Sequence, residues 1–270
     1  GKSSANYRIV RLVIFCCRVL PVLAILIGFD SSLALEPSKD VRQSSYQLMT
    51  AENQAMQDDP NLNPATFWVM DGHSLWKEKA GKKNISCASC HGESGQKMAG
   101  VAVRFPKVQK GKLQTLEGQI NQCRTSKQGA AALAYESKEL LALTTFVATQ
   151  SKGLPIAIQE TPENKKDLQQ GRQFFNERMG QLNLSCAQCH QDRAGLKLGG
   201  SLIPQGHPNA YPIYRIEWQT MGSLQRRLRN CMSGVRAKQF EYGSLEMAQL
   251  ELFLMWRARG MPLETSGVRP

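Results

Sequence analysis

Two short motifs constrain this chain more than any other feature of its 270 residues. They are Cys87-Ala-Ser-Cys90-His91 and Cys186-Ala-Gln-Cys189-His190. A Cys-x-x-Cys-His segment is the attachment signature of c-type haem, in which the two thiols form thioethers and the histidine becomes the proximal iron ligand. A redox Cys-x-x-Cys with a chance histidine, or a zinc site, would use the same residue types. Because the motif occurs at two equivalent places, we predict two covalently bound haem c groups.

The sequence around the two motifs is duplicated with a period of about 100 residues. Gly72 precedes Cys87 by 15 positions, and Gly171 precedes Cys186 by the same number. Each half continues with a loop, a lone cysteine and an apolar closing segment. A period of this length indicates duplicated domains, because solenoid repeats run only about 20–50 residues. Since apolar residues recur at helical spacing and strand signals are weak, we predict an all-α fold of two tandem class I-like cytochrome c domains.

The chain is predicted to divide into five segments. Residues 1–34 are predicted to be a secretory signal peptide, because arginines precede an apolar run that ends in small residues; an uncleaved membrane anchor is the alternative. The remaining segments are an N-terminal extension, a first cytochrome c domain, a linker and a second, catalytic cytochrome c domain: 35–70, 71–153, 154–167 and 168–270. The extension contains no haem motif, and we expect it to pack on the first domain or on a partner. Export predicts a periplasmic protein.

The lone cysteines Cys123 and Cys231 are the candidates for the second axial iron ligands. No histidine follows His91 in the first half, and Met98 is too close to His91 to reach the opposite face of a haem. Cys231 holds the equivalent place in the second half, where four other residues are rivals: Met221, Met232, Met247 and His207. A disulfide between the two lone cysteines is the alternative, since the compartment is oxidising.

A proline follows each proximal histidine, in the segments Phe105-Pro106 and Ile203-Pro204. A backbone carbonyl at this distance can accept a hydrogen bond from the histidine Nδ1, which fixes the ring and raises its basicity as a ligand. The alternative is an ordinary loop turn.

The chain has a net charge of +12, and one cluster of its basic residues surrounds Cys231. Five cations lie between Arg226 and Lys238, and Arg257 follows the last apolar segment. Cations lower the pKa of a thiol, and arginine binds oxyanions in bidentate fashion. The alternative is a solvated basic face. We expect no nucleic-acid binding, because no aromatic residues are interleaved with the basic run and no binding motif is present.

With these features the chain resembles the dihaem form of the SoxA family, the catalytic subunits of SoxAX, an L-cysteine S-thiosulfotransferase. The resemblance covers nearly all of the exported chain and includes three selective segments besides the haem motifs: Asn121-Gln-Cys123-Arg-Thr, Arg229-Asn-Cys231-Met and Met255-Trp-Arg-Ala-Arg-Gly-Met-Pro-Leu. It implies an enzyme that oxidatively conjugates thiosulfate to a cysteine of the carrier protein SoxYZ. It also implies a monohaem SoxX partner subunit and an external cytochrome that accepts the electrons.

The resemblance implies a role for each candidate residue. The haem-attaching residues would be Cys87, Cys90, Cys186 and Cys189. The axial ligand pairs would be His91 with Cys123 and His190 with Cys231. Cys231 would be catalytic, seen in the family as a persulfide and able to carry a thiosulfonate intermediate. The residues that bind thiosulfate would be Arg227, Arg236 and Arg257.

The competing hypothesis is a dihaem periplasmic electron-transfer cytochrome without a substrate of its own. Such a carrier would typically use a methionine as second axial ligand and would need no basic pocket. A dihaem peroxidase is a third class. It requires one labile iron site, which two thiolate ligands disfavour.

Overall fold

The computed structural model describes residues 40–270. The predicted signal peptide at 1–34 therefore lies outside the described residues. Residues 41–270 form one unit. Within residues 40–270, no helix has both the length and the apolar character needed to cross a membrane.

Helices supply most of the regular structure in the described chain. The α-helices are α1 (Ala51–Asp58), α2 (Ala65–Lys77), α3 (Cys87–His91), α4 (Leu116–Cys123), α5 (Lys138–Thr149), α6 (Lys165–Asn176), α7 (Cys186–His190), α8 (Leu224–Gly234) and α9 (Leu245–Arg257). Helices α6 to α9 repeat helices α2 to α5 in the same order. The haem motifs lie in the equivalent helices α3 and α7, and the lone cysteines lie in the equivalent helices α4 and α8. A π-helical turn, Arg124–Gln128, follows α4 only.

Hydroxyl side chains begin the equivalent helices of both halves. At each of these N-caps the hydroxyl oxygen accepts a hydrogen bond from the backbone N–H three residues later. This satisfies one of the donors that a helix start leaves unpaired. The equivalent caps are Ser86 and Ser185 for α3 and α7, Thr115 and Ser223 for α4 and α8, and Ser137 and Ser244 for α5 and α9.

A glycine brings the first and last helices of each half into backbone contact. Helix α2 packs on α5 at Gly72, where an added Cβ would lie 2.1 Å from the carbonyl oxygen of Ala142. Helix α6 packs on α9 at Gly171, where an added Cβ would lie 2.0 Å from the carbonyl oxygen of Gln249. Only a residue without a side chain permits so close an approach. This explains why Gly72 and Gly171 stand at the same place in the repeat.

The described chain also contains short strands, so the expectation of a strictly all-α fold was wrong. The strands are β1 (Lys107–Gln109), β2 (Lys112–Gln114), β3 (Lys197–Leu198), β4 (Ser201–Leu202), β5 (Ile213–Arg215), β6 (Thr220–Gly222) and β7 (Gly267–Arg269). Strand β5 is central in a three-stranded sheet, antiparallel to β6 and parallel to β7. Strands of two or three residues are too short to show an alternating apolar pattern, which is why the sequence did not reveal them.

The segments that follow α5 and α9 pair with each other across the two halves. Pro155 and Pro262 form an antiparallel bridge, and backbone hydrogen bonds join Ile156 N–H to the Met261 carbonyl and Leu263 N–H to the Leu154 carbonyl. Residues 154–156 belong to the predicted linker. They are therefore held against the end of the second half.

The N-terminal extension packs against the C-terminal end of the chain. Arg269, on β7 and only 5% exposed, bonds to Gln57 on α1 and to Ser45, and forms an ion pair of 2.7 Å with Glu264. The Asn63 side chain donates to the Ser266 carbonyl. Ala65, which also belongs to the predicted extension, packs in a cluster with Leu141 of the first domain. No sequence pattern links the extension to a C-terminal strand.

We predict that Gly171→Ala destabilises the folded protein by about 3 kcal/mol, because the new methyl group would collide with the Gln249 carbonyl. Chemical denaturation of the haem-loaded protein measures this loss. The matched control is Gly234→Ala at the end of α8, where an added Cβ meets nothing within 4 Å. There we expect a change within about 0.5 kcal/mol. Equal effects at both positions would contradict the proposed packing constraint.

Candidate functional site

Each Cys-x-x-Cys-His motif forms a single helical turn with the same cap. The Ser86 hydroxyl accepts from Ser89 N–H, and the Ser89 side chain accepts from Ser86 N–H. Ser185 and Gln188 form the same reciprocal pair at α7. These capping boxes fix the start of each turn, so both cysteines and the histidine project from one short helix.

The turn before each motif docks on the segment that follows the lone cysteine. In the second half an added Cβ on Gly180 would lie 2.1 Å from the Val235 carbonyl oxygen. In the first half an added Cβ on Gly81 would lie 2.3 Å from the Gln128 carbonyl oxygen. Both glycines have positive φ. This contact ties the helix that carries the histidine to the helix that carries the lone cysteine.

A cavity of about 530 Å³ lies in the second half and is bordered on one side by the N-terminal extension at Ser45, Leu48 and Met49. Its walls include four of the predicted site residues: Cys186, His190, Arg227 and Cys231. The apolar part of the lining includes Phe175, Ile213, Leu224, Leu228, Leu250 and Leu254. The pKa of the Cys186 thiol is raised to about 11, mainly by burial and to a smaller extent by the neighbouring charge of Cys231. The volume lies within the range of small-molecule and cofactor sites.

A hydrogen bond orients the His190 ring. The Nδ1 of His190 lies 2.8 Å from the Pro204 carbonyl oxygen, which can only accept, so Nδ1 carries the proton and Nε2 keeps its lone pair for a metal. Gly206 lies behind the ring, where an added Cβ would come within 3.0 Å of the His190 Cγ. Burial lowers the His190 pKa, the Pro204 hydrogen bond raises it, and the charges of Arg227 and Arg257 lower it further. A neutral imidazole suits an axial iron ligand.

The first-half site has the same residues in a more open setting. Cys90 is exposed, and His91 lies against Trp76 with ring centroids 5.6 Å apart. The charge of Cys123 contributes to a raised pKa of Cys87, after burial as the main cause. In the described residues no hydrogen bond joins His91 to Pro106, although the second half has the equivalent bond. Gln119 donates to the Cys123 sulfur at 3.3 Å.

The rival ligands of the second half lie in different surroundings. Met221, Met232 and Met247 are fully or almost fully buried in apolar clusters and do not line the cavity. His207 does line the cavity, with its Nε2 3.1 Å from the Gln205 side-chain oxygen. All six cysteines of the described chain are free thiols, so the alternative disulfide between the lone cysteines is absent there.

The three candidate arginines occupy different positions. Arg227 lines the cavity, four residues before Cys231 on α8. Arg257 lies over the Phe175 ring at 4.4 Å and donates to the Gln205 carbonyl, and burial lowers its pKa. Arg236 is exposed and has a positive φ in the loop after α8. Arg227 is therefore part of the cavity wall, and Arg257 packs on Phe175, which is part of that wall. Arg236 lies outside the cavity.

Sequence reasoning missed two polar residues of the cavity, Arg215 on β5 and Tyr211 just before that strand. Arg215 forms an ion pair of 3.0 Å with Glu217, and Arg227 approaches the same carboxylate at 3.9 Å. Burial lowers the Arg215 pKa, and the charge of Arg227 lowers it further. No motif marks these residues, because the short sheet alone carries them to the cavity.

The two halves differ most in the charge at equivalent positions. Gln119 stands four residues before Cys123, where the second half has Arg227. Ala142 and Gln249 are equivalent, because each contacts the helix glycine of its own half. The residue eight positions later is Gln150 in the first half and Arg257 in the second. Gly129, also at positive φ, occupies the place of Arg236 against the preceding glycine turn. At these three positions the second half has arginines where the first half has uncharged residues.

Comparisons with known proteins agree with this duplicated architecture. A family described as the SoxA/TsdA cytochrome c domain matches the chain twice, at residues 71–156 and 170–263. The chain is 31% identical over 232 residues to the L-cysteine S-thiosulfotransferase subunit SoxA of Rhodovulum sulfidophilum, covering 85% of this chain and 81% of the relative. It is also 31% identical over 245 residues to the subunit of that name from Allochromatium vinosum, covering 86% and 83%. The predicted tandem cytochrome c domains are confirmed.

A solved structure has the same fold over most of its length. It is the crystal structure of SoxXA from P. pantotrophus, with a TM-score of 0.82 and 29% sequence identity. The match covers 85% of this chain and 87% of the solved chain.

Proposed function

The chain belongs to the SoxA/TsdA family of cytochrome c domains, and on that premise we propose that its second half oxidatively joins thiosulfate to a protein cysteine. The chain is a c-type cytochrome subunit of an L-cysteine S-thiosulfotransferase, a thiosulfate-oxidising enzyme. The single observation that carries the site assignment is the shared cavity of His190, Cys231 and Arg227. It combines a metal-ligating pair with a cation that suits a dianionic substrate.

The residues of the second half fit a covalently bound haem c. Cys186 and Cys189 would form the thioethers, while His190 Nε2 and Cys231 would be the axial ligands. The large apolar cavity and the Nδ1 hydrogen bond of His190 support this assignment. We propose a second haem c in the first half, attached through the first motif and held by His91 and Cys123. The equivalent helical turns and caps support it.

When bound, the haem supplies an acceptor for one electron at a time next to the sulfur of Cys231. Cys231 is the proposed catalytic residue. Its sulfur would bond to the sulfane sulfur of thiosulfate and hold it as a thiosulfonate, within the cavity that Arg227 and Arg215 also line. The cavity lining would exclude bulk water from that reactive sulfur, and the same lining would keep the guanidinium charges effective.

The overall reaction balances as one thiol and one thiosulfate dianion giving one thiosulfonated cysteine, one proton and two electrons. The S–H bond of the carrier cysteine breaks, and its sulfur forms a bond to the sulfane sulfur that Cys231 releases. The proton leaves to solvent or to a nearby base. The two electrons would pass to an external cytochrome, the proposed electron acceptor, by way of the haem that His190 and Cys231 would hold.

The cations of the cavity would bind the sulfonate end of thiosulfate. Arg227 and Arg215 face the cavity, and a guanidinium can hold two oxygens of a tetrahedral anion at once. Arg257 would act beside His190, where its charge lowers the pKa of that ring. Arg236 is the outermost of the proposed substrate-binding arginines, and would act by attracting the dianion towards the site.

We also propose the surroundings in which the chain works. A monohaem SoxX subunit is the proposed partner, supported by the likeness to a SoxXA structure. SoxYZ is the proposed carrier of the cysteine that accepts thiosulfate. The proposed location is the periplasm, after removal of residues 1–34, and the proposed domain boundaries remain 71–153 and 168–270.

The intact mass of the exported protein should exceed the mass of its polypeptide by two haem groups. Replacing Cys87 and Cys90 together with Ala should remove one haem and leave the second-half haem in place. Replacing Cys186 and Cys189 should remove the other. Mass spectrometry measures both. A wild-type chain carrying one haem would contradict the dihaem assignment, and a disulfide linking Cys123 and Cys231 would contradict the ligand assignment.

Cys231→Ala should abolish thiosulfate conjugation, with a fall of at least about 10³-fold in turnover, because the variant lacks the proposed nucleophile. The assay contains the complete complex, the carrier protein and an electron acceptor. The matched control is Cys123→Ala, which removes the equivalent sulfur of the first half and should retain the conjugation chemistry. If Cys231→Ala changes the haem potential but leaves turnover intact, the chain is an electron carrier rather than the catalytic subunit.

The first half provides matched substitutions for the three arginines. Arg227→Gln and Arg257→Gln insert the residues found at the equivalent positions 119 and 150, and Arg236→Gly inserts the equivalent of Gly129. We expect Arg227→Gln to lower kcat/KM for thiosulfate by about 10- to 100-fold, the value of a charge-assisted hydrogen bond. Arg236→Gly should cost less than about 5-fold, because its charge is exposed and screened. Steady-state kinetics at constant ionic strength measures kcat/KM for each variant. A larger loss in Arg236→Gly than in Arg227→Gln would contradict this assignment.

A further inference from the structure

A second, smaller cavity of about 60 Å³ lies between the two halves. One carboxyl group from each half lines it: Glu117 on α4 and Glu251 on α9. Glu251 is only 7% exposed. Nothing in the proposed reaction uses either residue.

The polar residues around this cavity occupy equivalent positions in the repeat. Glu117 is the second residue after the N-cap of α4, and Gln225 is the second residue after the N-cap of α8. Thr144 follows Ala142 by two residues, and Glu251 follows Gln249 by two. The duplicated helices therefore bring a Glu–Thr pair from the first half against a Gln–Glu pair from the second.

The hydrogen bonds in this cluster leave one buried group unsatisfied. The Gln225 side-chain nitrogen donates to Glu251 at 2.6 Å, and the Gln225 oxygen accepts from Gly243 N–H at 2.8 Å. Thr144 is only 1% exposed and lines the cavity. Its hydroxyl has no hydrogen-bond partner within residues 40–270. A water needs roughly 10–15 Å³ of such space and two to four polar partners. The cavity offers both, with Thr144 and the two carboxyls as partners.

The charges near the pair favour a shared proton. The pKa of Glu117 is raised to about 7, mainly by burial and in smaller part by the charge of Glu136. Burial and then the charge of Glu117 raise the pKa of Glu251 well above its usual value. Tyr135, whose pKa is raised to about 12, stays neutral beside Glu117, and Arg226 acts on Glu136 instead of on the pair. Two neighbouring carboxyls without a compensating cation do not both ionise near neutral pH.

The small cavity adjoins the large one. Tyr211, Pro208 and Leu224 line both cavities. Leu224 is the first residue of α8, the helix that carries Cys231. Tyr211 is the titratable group on this shared wall, and burial raises its pKa, which keeps it neutral. A change of charge in the haem cavity is therefore separated from the carboxyl pair by one layer of largely apolar side chains.

We propose that Glu117 and Glu251, with Thr144 and one buried water, form a proton-binding site that takes up a proton when an electron enters the neighbouring haem cavity. The added negative charge acts across a low-dielectric wall and strengthens proton binding by the pair. A one-electron reductant, a dissolved chemical reductant in the test below, would lose one electron to the haem that the second half would hold, and an O–H bond would form between one carboxylate and a proton from solvent. The inference rests on a haem in the second half and goes beyond thiosulfate chemistry.

The test is a redox titration of the intact haem-loaded protein with a chemical reductant, between about pH 5 and about pH 9. Rising pH makes protons scarcer, so the midpoint potential of the second-half haem should fall with pH. The limit is about 59 mV per pH unit, the one-electron equivalent of a tenfold change in proton activity. The haem whose spectrum changes in Cys231→Ala identifies the second-half signal.

Glu117→Gln and Glu251→Gln should each flatten this pH dependence. Glu117→Gln inserts the residue that the second half has at position 225, so it should fold normally. The matched control is Glu246→Gln, which removes an exposed carboxyl from the same helix as Glu251; it should leave the slope unchanged. An unchanged slope in both cavity variants would overturn the proposal.

Infrared difference spectra between reduced and oxidised protein provide a second readout. The wild type should show a protonated-carboxyl band on reduction that disappears in Glu117→Gln or Glu251→Gln and shifts in Thr144→Val. A band that persists in both Gln variants would assign the proton elsewhere. Neither measurement involves thiosulfate, so a failure of the proposed conjugation reaction would leave this test intact.

Discussion

The contact on which the site depends is the packing of a glycine turn against the chain that follows each lone cysteine. At Gly180 the backbone lies directly on Val235 and Ala237, and at Gly81 it lies on Gln128 and Ala130. Each turn leads within a few residues into a Cys-x-x-Cys-His helix, while the contacted segment follows α4 or α8. The contact therefore sets the distance between a histidine and a cysteine that are far apart in sequence. Any side chain at these glycines would change that distance.

The duplication left this scaffold intact while the chemistry of the two halves diverged. Both halves keep the glycine contacts, the serine caps and the lone cysteine. They differ at the position four residues before the lone cysteine: Gln119 donates a neutral hydrogen bond to Cys123, whereas the second half has Arg227, which lines the cavity with Cys231. A cation favours a thiolate that reacts with an anionic substrate. The first half has no arginine at that position, and its nearby cation is Arg124, which directly follows Cys123 and acts to lower the pKa of Cys87.

Local motifs made part of this molecule predictable from sequence. The haem motifs, the repeat and the lone cysteines are read from short segments, because each depends on residues close together in the chain. The hydrogen bond from His190 to Pro204 also agrees with its prediction, whereas the equivalent bond is absent at His91 within the described chain. Arg215 was missed because β5 places it, and three-residue strands carry no periodic signal. Arg269 reaches Gln57 only through pairing of distant segments, which no local pattern encodes.

The interface between the halves follows from the same duplication. Packing two similar helix sets face to face places equivalent positions near one another, so Glu117, Thr144 and Glu251 line one small cavity and Gln225 donates a hydrogen bond to Glu251. Four polar residues in an apolar interface would ordinarily be replaced, since a buried carboxyl needs a partner or must stay protonated. Their position beside the wall that bounds the Cys231 cavity gives them a use. A site that gains electrons within a protein interior is easier to reduce when a neighbouring group can gain a proton. The cations around Cys231 stabilise the anionic substrate and the anionic sulfur. The carboxyl pair stabilises the added electron by taking up a proton.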